Sequence, residues 1–228
     1  MKNTLLRQAL AGLRLLLVAT VVLGVAYPLA IWGISRIPGL QANAEGSQIV
    51  VDGRVVGSSL IGIDPVPADP ANDPYFHTRP AASAEGNLGP GDPASTGGSN
   101  YGGASADLLA AVQERRGAIA AREGVRPEQV PTDAVTASAS GVDPDISPAY
   151  AELQVPRVAR VTGLPLDEVR RLVAEHTSGG VIAERVVNVT TLNVAINRAR
   201  HPVGAQFREN CAVTRVNVNF SRNCAPPG

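Results

Sequence analysis

The 228 residues allow one domain, or one domain with attachments, and their 20 basic and 20 acidic side chains give a formal net charge of zero. The balance is uneven: residues 1–34 carry Lys2, Arg7 and Arg14 and no acid, residues 35–197 sum to −7, and residues 198–228 carry five arginines against Glu209. The acidic body argues against nucleic-acid binding, the single lysine (Lys2) excludes a P-loop, Schiff-base or Ser-Lys lysine there, and two cysteines without CxxC spacing exclude a cysteine zinc site.

Leu15–Ile34 is a run of 20 residues without a formal charge. As a helix it reaches roughly 30 Å, one hydrocarbon thickness. Three basic residues precede it and Arg36 alone follows closely, so the positive-inside bias places residues 1–14 in the cytoplasm and the body outside. Tyr27 and Trp32 fall where an outer aromatic belt is expected, and Pro28 calls for a kink or a packed neighbour. A cleaved signal peptide is the rival reading, with Gly24-Val25-Ala26 as its small-x-small site. The apolar run continues eight residues past Ala26, which favours a retained anchor.

Residues 35–197 form the extracytoplasmic body. Ile49–Val56 reads as a hairpin around Asp52-Gly53. Asp64–Asp73 is dense in proline and acid, and Ala81–Gly103 is rich in Gly, Ser and Asn, so together they predict a long irregular region. A helix is expected from Ser105 to about Arg122, and a strand over Val135–Ala139. Ser147-Pro148 predicts a capped helix running toward Val161, with Pro156 kinking or dividing it. Pro165 with Asp167 and Glu168 opens another helix, with Val169, Leu172, Val173 and His176 inward and Gly179-Gly180 at its end. Val186–Ile196 reads as a β segment. The sum is a mixed α+β fold with a small sheet, without internal repeats or a dinucleotide-binding βαβ pattern.

The chemistry that these residues support is sparse. His77, His176 and His201 are too scattered for a metal cage, and each reads as a surface or packed histidine. Gly97-Gly98-Ser99-Asn100-Tyr101 has tyrosine where a nucleophile elbow needs glycine. The same glycines precede a helix, where backbone amides can hold an anion, or form a flexible capped loop. Asp64, Asp69 and Asp73 lack EF-hand spacing and read as a solvated acidic loop. Asp143-Pro144-Asp145 reads as a turn before the Ser147 cap. Asn188-Val189-Thr190 matches a glycosylation acceptor, but within an expected strand. No catalytic group and no metal site is expected.

Several motifs together resemble the C subunit of the bacterial potassium-transporting P-type ATPase, the Kdp system. They are Tyr27-Pro28-Leu29-Ala30, Gly57–Gly62, Tyr75-Phe76-His77-Thr78-Arg79-Pro80, Gly97–Asn100, the block Val135–Pro148, Gln154-Val155, Arg157-Val158-Ala159 and Asn188–Asn193. The resemblance covers about residues 1–197. It implies a non-catalytic, single-pass plasma-membrane subunit that assembles with a channel-like A subunit and a P-type ATPase B subunit. It also implies a chaperone-like support of ATP binding by the B subunit, with no cofactor of its own. Gly97, Gly98, Ser99 and Asn100 are then a weak nucleotide-site candidate, and Asp64, Asp69, Asp73, Tyr75 and Arg79 are candidates for partner contact. The chain departs from the family at Pro156 and in the basic tail 198–228, a lineage-specific extension or a frameshifted reading, where Cys211 and Cys224 would pair if ordered. The alternative function is a stand-alone anchored binding module, which a lone gene would favour over one beside a channel-like protein and a P-type ATPase.

Overall fold

The computed structural model describes residues 2–180 and 183–201; Cys211, Cys224 and most of the expected tail lie outside the described residues. The chain divides into two units, Met1–Val56 and the residues from Gly57 onward.

In the first unit, α1 (Lys2–Val21), a π turn (Val22–Ala26) and α2 (Tyr27–Ser35) run directly into one another. Of this helix, Thr4–Ser35 is long and apolar enough to cross a membrane, and none of its most apolar stretch is buried by the protein. The π turn explains how Pro28 is tolerated. A proline ring clashes with the carbonyl four residues back and has no N–H to offer it. Widening the preceding turn, with the Tyr27 N–H reaching the Val22 carbonyl, relieves that crowding. Beyond the span, the Arg36 guanidinium lies 5.5 Å from the Trp32 ring centroid and 2.7 Å from Glu45. A single turn, α3 (Gln41–Ala44), leads to the hairpin of β1 (Gln48–Val51) and β2 (Arg54–Ser58). Its two-residue loop has positive φ at both Asp52 (51°) and Gly53 (74°), the twist that a tight antiparallel hairpin needs.

The second unit is mixed α+β. Its long helices are α4 (Ala106–Glu123), α6 (Pro148–Thr162), α7 (Leu166–Glu175) and α8 (Val189–Arg200), with a short turn, α5 (Thr132–Val135). Strands β3 (Asp145–Ile146), β4 (Thr177–Ser178) and β5 (Val186–Asn188) make a small antiparallel sheet in the order β3-β5-β4, pairing Ile146 with Val187 and Thr177 with Val187. Phe76, Ile119, Ile146, Tyr150, Val158, Val169 and Leu192 fill the core. The expected cap on α6 forms, Ser147 Oγ accepting from the Tyr150 N–H with Pro148 at the first helical position, and Ser105 Oγ caps α4 by accepting from the Leu108 N–H.

Four expectations are corrected. The strand expected over Val135–Ala139 is the end of α5 followed by ladderless chain. The β segment expected over Val186–Ile196 is a strand only to Asn188. There the Asn188 side chain accepts from the Thr191 N–H and starts α8, whose buried Val189, Leu192 and Ile196 follow helical spacing despite their β-branched neighbours. Asn188 also donates to the Ser59 carbonyl (2.9 Å) and to Asp145 (3.1 Å), so the glycosylation-like asparagine holds structure together. Of the two outcomes expected of Pro156, division does not occur: α6 runs through it, because it lies on the helix's exposed face, where water can serve the carbonyl it leaves unpaired. Gly179 and Gly180, both at positive φ, follow β4 rather than ending α7, and His176 caps that helix and meets Thr191 Oγ1 at 3.0 Å.

The irregular region is ordered by a second stretch without regular structure. Gly62 donates to the Val142 carbonyl (2.8 Å), Gly97 to Ser140 (3.0 Å), and Ser138 to the Pro80 carbonyl (2.8 Å). Residues 62, 80 and 97 of this region are thereby tied to residues 138–142. The approach at Gly62 leaves no room for a side chain: a Cβ there would stand 2.4 Å from the Pro144 Cα.

Two substitutions should move stability in opposite directions in thermal unfolding of the full-length protein in detergent. Gly62→Ala should cost about 1–3 kcal/mol, the usual range for overpacking against backbone. Pro156→Ala should stabilise by about 2 kcal/mol, the helix-interior penalty of proline less the entropy it removes from the unfolded chain.

Candidate functional site

The segment Asp73–Pro80 has no strand neighbour, yet Asp73, Phe76, His77, Thr78 and Pro80 are buried. Its backbone is served by side-chain amides. Asn193, on α8, accepts from the Phe76 N–H and donates to the Phe76 carbonyl, both at 2.8 Å. Gln154, on α6, does the same for His77, at 2.8 and 3.2 Å. Two consecutive residues are thus clipped by two helices, each amide standing in for a peptide group.

An ionic network lies against these clips. His77 Nδ1 is 3.1 and 3.0 Å from the two carboxylate oxygens of Asp64, and Nε2 is 2.5 Å from Asp73. Asp64 also accepts from the Thr78 N–H and hydroxyl, and Asp73 from the Tyr75 N–H. Arg157 grips Glu123 with a two-point fork (2.9 and 3.2 Å) and donates to the carbonyls of Asp73 and Tyr75 (2.8 and 2.9 Å). Arg122 bonds both Glu123 (2.7 Å) and the Tyr150 hydroxyl (2.9 Å). Burial pushes the Tyr150 phenol up to about 12, against the pull of Arg122. Burial raises Asp73 too, but hydrogen bonding and attraction from His77 outweigh it and hold the carboxyl below its ordinary value.

The residues singled out from the sequence fall in three places. Asp64 and Asp73 are 9% and 2% exposed, so the acidic loop is not the solvated cluster expected of it, and both carboxylates are turned onto His77. Asp69 is exposed; its carboxylate accepts from the Ala71 N–H and the Asn72 amide and caps a short turn. Tyr75 and Arg79 are half-buried, with Arg79 bonded to Asp143 at 2.5 Å. Asp143 also accepts from the Asp145 N–H, shaping that turn, while burial and then the nearby Asp143 charge raise the Asp145 carboxyl.

Gly97, Gly98, Ser99 and Asn100 sit apart from the network. Gly98 and Ser99 line an open cleft of about 520 Å³ with Glu85, Tyr101 and Arg115. The Gly97 N–H is engaged by the Ser140 carbonyl, and the Asn100 amide by Gly98. Arg115 is directed to the carbonyls of Asn87 and Val135 (both 3.2 Å). Among the described residues no group of three or more His, Cys, Asp or Glu side chains is arranged to hold a metal ion. Gln154, Asn193, Arg157 and Glu123 carried no local signal as partners of the 73–80 segment; the two clips join residues 77 and 117 positions apart.

Arg157→Met should destabilise the full-length protein by about 3 kcal/mol, because Glu123 would keep only Arg122 as its partner and the carbonyls of Asp73 and Tyr75 would lose their donor. In a double-mutant cycle, the combination with Glu123→Gln should lose less than the sum of the single changes.

Comparison with known proteins places this architecture. A family model described as "K+-transporting ATPase, c chain" matches residues 9–198. A Kineococcus radiotolerans protein named potassium-transporting ATPase KdpC subunit is 48% identical over 200 residues, 86% of this chain and 96% of its own. Proteins of the same name from Polaromonas naphthalenivorans and Mycobacterium tuberculosis are 47% and 42% identical, covering 90% and 84% of this chain and 99% and 98% of theirs. With one N-terminal helix long and apolar enough to cross a membrane, this membrane-anchored chain belongs to the family of the K+-transporting ATPase c chain, the KdpC subunits.

Proposed function

We propose that the chain is a non-catalytic subunit of an ATP-driven potassium uptake complex. It assembles with a channel-like A subunit and a P-type ATPase B subunit and supports ATP binding by the latter. The observation that carries this reading is the fate of the buried ionisable groups. Asp64, Asp73, His77, Arg157, Glu123, Arg122 and Tyr150 are taken up by one another and by backbone, as in a scaffold. Any effect on ATP binding is then relayed through the partner subunits rather than by nucleotide contact at Gly97–Asn100, where the Gly97 amide and the Asn100 side chain are already engaged.

In this reading the body lies outside the cytoplasm, as the asymmetry of Lys2, Arg7 and Arg14 against Arg36 directs. Asp69, Tyr75 and the Arg79–Asp143 pair form the surface offered to the partners, because Asp64 and Asp73 are committed to His77. The net −7 of residues 35–197 raises the cation concentration near a pore mouth, an effect screened beyond about 8 Å at physiological salt.

The central experiment compares partner subunits purified with and without this chain. Omission should weaken assembly and raise the ATP KM of the ATPase with a smaller change in kcat; unchanged assembly and unchanged KM would overturn the role. A phosphatase fused after residue 197 should be active and a cytoplasmic reporter there silent. Arg79→Ala should reduce co-purification of the subunits at low and high salt alike.

A further inference from the structure

We propose that His77 is a pH-operated latch that closes the loop 65–72 by holding Asp64 at one end and Asp73 at the other, and that the latch opens when the imidazolium loses its proton. The geometry requires two donors. Nδ1 faces both oxygens of Asp64 and Nε2 faces Asp73. A neutral imidazole donates from one nitrogen and presents a lone pair at the other, so one carboxylate would face a lone pair in a site where His77 is 4% exposed. With both carboxylates ionised, only the doubly protonated ring satisfies the two of them.

The surrounding charges point the same way. The loop contributes Asp64 and Asp73, α4 contributes Arg122 and Glu123, and α6 contributes Arg157 and the Tyr150 phenol. The carboxylates of Asp64, Asp73 and Glu123 are offset by Arg122 and Arg157 only in part; the third positive charge is the protonated His77. Burial by itself favours the neutral ring and Arg122 adds to that. The attraction of Asp64 and the hydrogen bonds that the ring donates to Asp64 and Asp73 prevail, and the imidazole titrates above its ordinary value.

The sign follows from linkage. A group whose pKa is raised by folding contributes stability that is complete below its unfolded value, about 6.5, and is lost as pH rises through the folded value. Asp73, held low, contributes stability present above about 3.8 and lost as pH falls through its folded value. The latch is therefore closed at mildly acid pH and opens as the pH rises through the raised value of His77. What opens is specific. Between the two acids lie Val66 and Asp69, both exposed, and the same carboxylates hold the N–H groups of Thr78 and Tyr75. Losing the imidazolium frees the loop and loosens the start of the clipped segment, while the Gln154 and Asn193 clips, which do not titrate, keep Phe76 and His77 in place.

That this pH is the external one rests on the proposed topology; the latch itself does not. The test uses the full-length chain in detergent with its histidines labelled with ¹⁵N, and the His77 signal identified by its absence in His77→Gln. At pH 6 both ring nitrogens should resonate as an imidazolium, and the ring should lose its proton above the ordinary histidine value. Amide exchange at Tyr75 and Thr78, corrected for the intrinsic pH dependence, should accelerate at least tenfold as the ring deprotonates. His77→Gln should show the faster exchange at every pH. A ring that titrates at or below the ordinary histidine value would overturn the latch whether or not the variant folds. So would amide protection unchanged across the titration of the ring. Both readouts need only this chain, so a failure of the subunits to co-purify would count against the proposed function and leave the latch standing.

Discussion

A buried peptide group must find a hydrogen-bond partner, and in this domain that requirement falls on a segment that belongs to no sheet. The Gln154 and Asn193 amides supply the missing partners for Phe76 and His77, and nearly everything else in the second unit is arranged so that they can do so. Helices α6 and α8 present one clip each. Phe76, wholly buried, plugs the core between them. Arg157, one turn along α6 from Gln154, carries the same service on to the carbonyls of Asp73 and Tyr75. A free peptide group inside such a core costs about 1–3 kcal/mol, so the four clip bonds together decide whether the segment is inside at all.

The ionic network beside the clips has a different energetic character. Taking Glu123, Arg157, Asp73 and His77 out of water is expensive, and their mutual attraction roughly returns the expense without a large surplus. Its contribution is to specificity. Arg157 meets Glu123 through a planar fork and reaches the two carbonyls from its remaining edge, so α4, α6 and the 73–80 segment fit in one relative arrangement. The net −7 of the body is consequently an incomplete guide to its surface, since three of its acids, Asp64, Asp73 and Glu123, are spent internally.

The sequence made the local features legible and the long-range ones opaque. The apolar anchor, the Asp52-Gly53 turn and the Ser105 and Ser147 caps each depend on neighbours within about four positions, and each is where the pattern puts it. Val186–Ile196 misled because β-branched residues dominate its composition, whereas the Asn188 cap and the spacing of Val189, Leu192 and Ile196 select a helix. Asp64 and Asp73 read as solvent-facing because acids in a proline-rich loop ordinarily are, and nothing near them in sequence announces that His77 lies between them. The family motifs Tyr75–Pro80 and the 135–148 block do not reveal that one is clipped by helices and the other is hydrogen-bonded to the irregular region at residues 62, 80 and 97.

The distances in sequence between the clips and what they hold have a kinetic consequence. Phe76 is finished by a residue 117 positions later, in the second turn of the last described helix, so the segment cannot become native until α8 has been synthesised and has docked. Contacts of such separation are slow to form, because a long loop must close before any reward is gained. During synthesis the 73–80 segment, with the proline- and glycine-rich chain around it, therefore waits for those partners while the helices beyond it are made. Its proline, glycine and aspartate content suits that wait, since a segment poor in contiguous β-prone apolar runs resists pairing with copies of itself before its own amides arrive.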